Sequence, residues 1–286
     1  MAQVQERDDW DLVIRPRSGW FDLHLLDLWR YRDLVLLFVR RDFVAQFKQT
    51  ILGSAWFVIQ PLLTTIVFTV VFGNLANLST DHLPKMLFYL SGNIIWMYFS
   101  GVLTAASHTF VGNAHIFGKV YFPRLVIPLS LTLSNLIKFM LQFGFFLAFW
   151  LYYVLIGADI RMTPTALLFP VLVLIMAGLA LGLGILFSSM TTKYRDLRFL
   201  LEFGVRLAMY ATPVIFPLSS ITGGRLRLVL LVNPMTPIIE TFRLGFLGQG
   251  TMHWGWLAYS AAFAVVSLLV GVVAFNRVER TFMDTV

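Results

Sequence analysis

Long apolar runs separated by short polar breaks dominate the pattern of this chain. They cover Ile51–Phe72, Met86–Phe110, Val126–Ile156, Ala166–Met190, Phe199–Phe216 and Trp254–Phe275. At about 1.5 Å of rise per residue, roughly 20 apolar residues match the hydrocarbon core of a bilayer. The pattern therefore predicts six transmembrane helices. Two shorter apolar segments, Arg225–Val232 and Pro237–Leu247, sit between the fifth and sixth runs, bounded by Gly223-Gly224, Asn233-Pro234 and Gly248-Gln249-Gly250. Each is too short to span, and together they read as re-entrant or surface-lying helices on the outer side. Ahead of the first run, Leu36, Val39, Phe43 and Phe47 share one helical face, with Arg41, Lys48 and Gln49 opposite. That pattern predicts a helix lying in the cytoplasmic headgroup plane, joined to a shorter one at Trp20–Tyr31. A solvated helix packed on protein is the alternative.

The fold class is thus all-α: a polytopic membrane protein with an N-terminal cytoplasmic amphipathic helix, six spans, and re-entrant helices between spans five and six. Its expected divisions are a cytoplasmic segment (1–50), a membrane domain (51–276) and a cytoplasmic tail (277–286). Composition agrees, since 58% hydrophobic and 13% charged residues lie outside the range of a soluble domain. Met1–Trp20 is charged and lacks the apolar core of a secretory signal. With no cysteine, disulfides, thiolate metal sites and cysteine nucleophiles are excluded. Placing both termini inside puts 16 of the 22 Lys and Arg residues on the cytoplasmic side. The net charge of +7 then reflects topology and anionic lipid, not nucleic acid.

Polar residues inside the runs mark places where lipid is a poor neighbour. Gln60-Pro61 interrupts the first run, and irregular backbone at that depth must be buried in protein or face a wet cavity. Ser130, Ser134, Lys138 and Gln142 recur at steps of four along the third. A lysine at that depth should face protein, water or a partner, because insertion there costs roughly 2.5–3.5 kcal/mol. Gly178 and Gly182 have GxxxG spacing, which points to close helix packing.

A catalytic set is not visible. The five histidines (24, 82, 108, 115, 253) lack metal-ligand spacing, and there is no GxSxG elbow. Gly118-Lys119 is followed by Val120 where a phosphate loop needs Ser or Thr, so no nucleotide site follows. Aromatic residues make up 15% of the chain and many lie within the runs, where they either face lipid or line a conduit. An aromatic face can stack on a sugar ring without demanding one hydroxyl pattern. The Gly112–Arg124 connection, GNAHIFGKVYFPR, predicts a short amphipathic helix offering aromatic knobs to a partner. An ordinary interfacial loop is the other reading.

A family resemblance spans nearly the whole chain. Arg41-Asp42-Phe43 through Phe47-Lys48-Gln49-Thr50-Ile51-Leu52-Gly53, then Trp56 and Gln60-Pro61-Leu62, resemble the start of span one in polysaccharide-exporting ABC permeases of the O-antigen, teichoic acid and capsule type. The similarity continues in order through Lys119–Arg124 with Pro128, Lys193–Arg198, Thr212–Pro217 and Asn233-Pro234-Met235 followed by Arg243.

The resemblance implies a homodimer in the bacterial cytoplasmic (inner) membrane, docked on two copies of an ATP-binding subunit that holds the ATP and Mg. The permease itself would carry no cofactor, no metal and no catalytic residue, and would move a lipid-linked polysaccharide. His115, Ile116, Phe117, Gly118, Lys119, Val120, Tyr121 and Phe122 would couple to the ATPase. Trp56, Phe57, Tyr89, Trp96, Phe203 and Tyr210 would line the route. Glu202 and Arg206, like Lys138, depart from the family pattern; their i,i+4 spacing makes them candidates for an ion pair at the cytoplasmic mouth of the route, with snorkelling towards headgroups as the alternative. Arg225, Asn233, Pro234, Glu240 and Arg243 would belong to an outer gate, and the spacing of Glu240 and Arg243, three residues apart, lets them pair where the second short helix emerges. A type-2 permease for drugs or small lipids, and an intramembrane glycosyl- or acyltransferase, are the competing expectations.

Overall fold

The computed structural model describes residues 25–48, 50–117, 122–221 and 223–282, and among these all regular structure is helical. Two helices come first, α1 (Leu25–Arg30) and α2 (Arg32–Phe47). The first run becomes a short 3-10 turn, α3 (Trp56–Phe68) and a π-helical turn, Thr69–Leu75. Then follow α4 (Lys85–Ser107), α5 (Thr109–Phe117), α6 (Val126–Leu155), α7 (Phe169–Lys193), α8 (Leu197–Tyr210), α9 (Gly224–Val232), α10 (Met235–Leu247) and α11 (Trp254–Phe282). Five of the described helical segments are long and apolar enough to cross a membrane: Gly53–Leu75, Lys85–Ser107, Val126–Leu155, Pro164–Lys193 and Trp254–Val278.

The fifth predicted run departs from a continuous span. Helix α8 has 14 residues, about 21 Å, and stops at Tyr210. Pro213 explains the stop, because it lacks an N–H and drives Thr212 out of the helical region. The next residues turn into the bundle, where Thr212, Val214 and Ile215 are buried. Non-helical backbone at membrane depth requires protein donors, and it finds them in Asn233 and Arg243.

Helix α4 forms the axis of the bundle and is buried along most of its length, between α3, α6, α7 and α8. Small residues set the closest crossings around it. A Cβ on Gly182 would come within 2.5 Å of Leu268 N, so only glycine lets α7 lie against α11. At Gly184 a Cβ would meet Ala106 of α4 at 2.6 Å. Aromatic side chains fill the wider gap between α6, α7 and α10. Phe143 stacks on Phe169 at 4.2 Å between centroids, and Phe242 lies 4.7 Å from Phe246.

Pro61 does not break α3. An α-helix would use the residue-61 N–H to serve the Phe57 carbonyl, which proline cannot do. Gln142 of α6 donates its Nε2 to that carbonyl at 3.2 Å, and Asn93 of α4 donates to the Pro61 carbonyl at 3.1 Å. The polar stripe of the third run thus partly repairs the first.

The buried face of α2 is rotated from the predicted one. Val35, Phe38 and Val39 point into the protein, whereas Leu36 is 61% exposed and Phe43 only half-buried. The determining contact is with α6 and the stretch just before it, where Phe38 meets Phe122 edge-on at 5.8 Å. Leu36, Leu37 and Val44 are left on the outside of the helix.

Candidate functional site

Three connections predicted to share the outer side are joined in the structure. Ser219 Oγ donates to both oxygens of Asp81, tying the α8–α9 connection to the α3–α4 turn. Thr163 binds the carbonyls of Leu244 and Gly245, fastening the α6–α7 turn to the end of α10. Gly248 ends α10 in the left-handed conformation that glycine accepts most readily, with Arg161 O only 2.9 Å from where a Cβ would stand.

Helix α10 is a buried half-length helix, not a surface-lying one. Its charged pair is the most elaborate polar contact in the bundle. Arg243, 2% exposed, donates to the carbonyls of Pro213 and Val214 and to Ser91 Oγ, and its guanidinium lies 3.7 Å from the centroid of the Phe88 ring. Glu240 approaches Arg243 Nη1 at 3.8 Å, and its carboxylate accepts from the backbone N–H groups of Leu218 and Thr251. One ion pair therefore ties together α4, the break after α8, and both ends of the connection to α11. Gly92 leaves room for it, since a Cβ there would sit 2.8 Å from Arg243 Nη2. Sequence spacing found the pair but placed it where the helix emerges. Ser91, Gly92, Leu218 and Thr251 had no pattern to mark them, whereas Pro213 stood out as a proline inside an apolar run and as part of the Thr212–Pro217 match.

Asn233 is a second clasp. Its Nδ2 donates to Ala211 O and Thr212 Oγ1, and its Oδ1 accepts from Met235 N at the start of α10. The Pro234 carbonyl accepts from Ser260 of α11 at 2.8 Å. Arg225 stands apart from this assembly, exposed at the start of α9.

The predicted route residues divide into two groups. Trp56, Phe203 and Tyr210 are exposed on α3 and α8, Phe57 is half-buried, and Glu202 and Arg206 lie on α8, with Arg206 exposed. Tyr89 and Trp96 belong to the interior of α4 and are removed from the surface set. Tyr89 packs edge-on against Phe88 at 5.3 Å and Trp96 lies against Phe99, because α4 is enclosed by its neighbours. The predicted Glu202–Arg206 pair does not form. Glu202 Oε1 instead meets Arg198 Nε at 3.3 Å, one turn earlier, and His108 Nε2 at 3.5 Å at the end of α4. The opposite choice of turn follows from tertiary contact with α4.

Within the expected coupling segment, His115, Ile116 and Phe117 lie in α5, which is kinked at Asn113. Gly118, Lys119, Val120 and Tyr121 lie outside the described residues. Phe117 and Phe122 do not project as knobs. Both are buried, packed against each other and near Phe38, Phe110 and, through Phe110, Phe275 of α11. No group of three His, Cys, Asp or Glu side chains among the described residues could hold a metal.

The family model for the ABC-2 type transporter matches residues 33–247, which include α2, the first four spans, the break after α8 and the Glu240–Arg243 clasp. The chain belongs to the ABC-2 type transporter family. It is a multi-pass membrane transport protein and not an enzyme. An O-antigen export system permease protein, RfbA, from Myxococcus xanthus is 27% identical over 263 residues, covering 91% of this chain and 98% of the relative. The protein of the same name from Klebsiella pneumoniae is 25% identical, over 88% and 94%. A polysialic acid transport protein, KpsM, from Escherichia coli is 21% identical, over 86% and 93%. In this ABC-2 transporter the matched region thus ends with α10 at Leu247.

Proposed function

We propose that the chain is the permease subunit of a bacterial exporter that moves a lipid-linked polysaccharide of O-antigen type across the cytoplasmic membrane. It works as a homodimer with both termini in the cytoplasm, driven by two copies of a separate ABC ATPase subunit that binds ATP and Mg. Similarity to export permeases along nearly the full length of both chains supports the cargo. The observation that carries the arrangement is the composition of the open helix faces. Arg206 on α8 is exposed beside Phe203 and Tyr210, and Trp56 is exposed on α3. A guanidinium group on a membrane helix is expensive against lipid and belongs on a wet or protein-covered face. A second copy and an aromatic-lined path between the copies supply such a face.

Residues 113–124 contact the ATPase, while Phe117 and Phe122 hold the segment to the bundle. The α8–α11 connection restricts the outer exit, with α9 and Arg225 as its outward part and α10 as its anchor.

The test is deletion of the chain's gene from its host with its ATPase and glycan synthesis left intact. Lipid-linked polysaccharide should accumulate inside and disappear from the surface. Normal surface glycan with altered efflux of a small lipid or drug would transfer the chain to the other type-2 export class.

A further inference from the structure

A cavity of about 310 Å³ opens where α2, α3, α4 and α6 meet. Its polar lining comes from Gln46, Gln60, Tyr98, Asn135, Lys138 and Gln142. Gln60 is the fifth residue of α3 and Gln46 stands in the last turn of α2. At 1.5 Å per residue, the mouth is about 6–8 Å along α3 from its α2 end. The mouth therefore lies in the half of the first span that adjoins α2.

The cavity is rich in unspent donors. Lys138 is half-buried and gives one hydrogen bond, to Asn135 Oδ1 at 3.3 Å, with its ammonium 5.6 Å from the centroid of the Phe57 ring. An ammonium has three donors, so two remain. Tyr98 is 2% exposed and its hydroxyl has no hydrogen-bond partner. Gln46 and Gln60 are exposed at the opening. Among the described residues no carboxylate lines the cavity. The acid that acts on Lys138 electrostatically is Asp42, which Arg41 already engages through Nε at 2.9 Å and Nη2 at 2.8 Å. Although Asp42 Oδ2 is buried without a partner, the group Arg41, Asp42 and Lys138 still carries one net positive charge.

A cation, a buried unpaired hydroxyl and amides at a rim on the α2 side of the first span form an anion site that opens between membrane helices. We propose that this cavity binds a lipid phosphate. Its oxygens accept from Lys138 Nζ and Tyr98 Oη, and its tail leaves between α2 and α3 into the bilayer. A neutral sugar could hydrogen-bond to the amides but would leave the Lys138 charge without a counter-ion. Two molecules present this chemistry, a bilayer phospholipid and the phosphate-bearing anchor of a lipid-linked glycan. The site does not depend on the cargo. Only its assignment to a glycan anchor rests on the exporter reading, which phospholipid binding would leave intact.

The experiment uses the full chain in a neutral maltoside detergent, with bound lipid counted by native mass spectrometry. The probes are dioctanoyl phosphatidylglycerol and farnesyl monophosphate, with dioctanoylglycerol and farnesol as phosphate-free controls. A hydrogen bond to a charged group corresponds to roughly tenfold or more in affinity. Lys138→Gln should therefore weaken at least one phosphate lipid by about that factor, Tyr98→Phe by a smaller factor, and neither should change the controls. Lys138→Arg should retain binding. Dependence on Lys138 for farnesyl monophosphate alone assigns the site to an isoprenyl anchor, and dependence for phosphatidylglycerol assigns it to bilayer lipid. A variant-free measurement accompanies these: saturating phosphate lipid should shield Lys138 of the unaltered chain from acetic anhydride. No binding to the unaltered chain, equal affinity in Lys138→Gln, or undiminished acetylation would each overturn the proposal.

Discussion

Removing the Arg243 side chain tests whether the outer connection is anchored by its buried ion pair. In Arg243→Ala, Glu240 keeps its bonds to Leu218 and Thr251 but loses its counter-charge, and the Pro213 and Val214 carbonyls lose their donor. Breaking a buried pair from one side costs about 3–5 kcal/mol, because the remaining charge stays in a poorly polarisable site. At about 2–4 °C per kcal/mol for large domains, apparent melting should fall by about 6–20 °C. Adding Glu240→Leu removes the stranded charge but leaves the Leu218 and Thr251 N–H groups without their acceptor. The double variant should therefore improve on Arg243→Ala without regaining the parent's stability. Gly92→Ala should imitate the arginine loss, since its new methyl would occupy the space of Nη2. The assay is tryptophan-fluorescence melting of detergent-solubilised protein, with limited proteolysis between residues 211 and 253 reporting release of the connection. Melting of Arg243→Ala within about 2 °C of the parent, with unchanged proteolysis, would refute the anchoring argument.

Gln142→Leu should destabilise α3 by about 1–3 kcal/mol by withdrawing the donor from the Phe57 carbonyl. Combining it with Pro61→Ala, which restores a backbone N–H, should recover much of that loss in a double-mutant melting cycle; strict additivity would reject the repair. Charge exchange between Arg198 and Glu202 should rescue the assembly or export defects of either single reversal. Exchange between Glu202 and Arg206 should not, and the opposite result in an export assay would overturn the observed pairing. Phe122→Ala should lower the melting temperature of the isolated chain, because the ring packs on Phe38 and Phe117, and such core truncations typically cost about 3–5 kcal/mol. A defect visible only with the ATPase present would return Phe122 to the partner surface. Single cysteines at Asp81 and Arg225 should react with an impermeant thiol reagent outside spheroplasts, and labelling only after lysis would reverse the topology.

Much of this architecture is legible in one dimension because lipid makes the rules severe. A run of apolar residues must be helical to satisfy its own backbone, so Lys85–Ser107 and Trp254–Val278 announce themselves by length. The small-residue spacing in α7 likewise forecast close packing, which the Gly182 contact displays. Charge spacing identified Glu240 and Arg243 as partners. Hydrophobicity could not say which apolar face meets lipid and which meets protein, since both neighbours accept it equally. For that reason Tyr89 and Trp96 looked available for a route, and Phe117 and Phe122 looked available for a partner. The same ambiguity hid the buried face of α2.

What the sequence by itself determined is therefore the helical class, the membrane-length segments and the positions of unusual polarity. Each follows from local physics: hydrogen-bond satisfaction along one helix, the thickness of a bilayer, and the cost of charge in oil. The tertiary structure alone decided how the irregular places are made tolerable. Gln142 serves the carbonyl that Pro61 leaves, Arg243 and Asn233 serve the backbone freed after Tyr210, and Arg198 takes Glu202 from Arg206. Those partners lie up to 85 residues apart, and only packing brings a donor to a particular acceptor in a place that water does not reach.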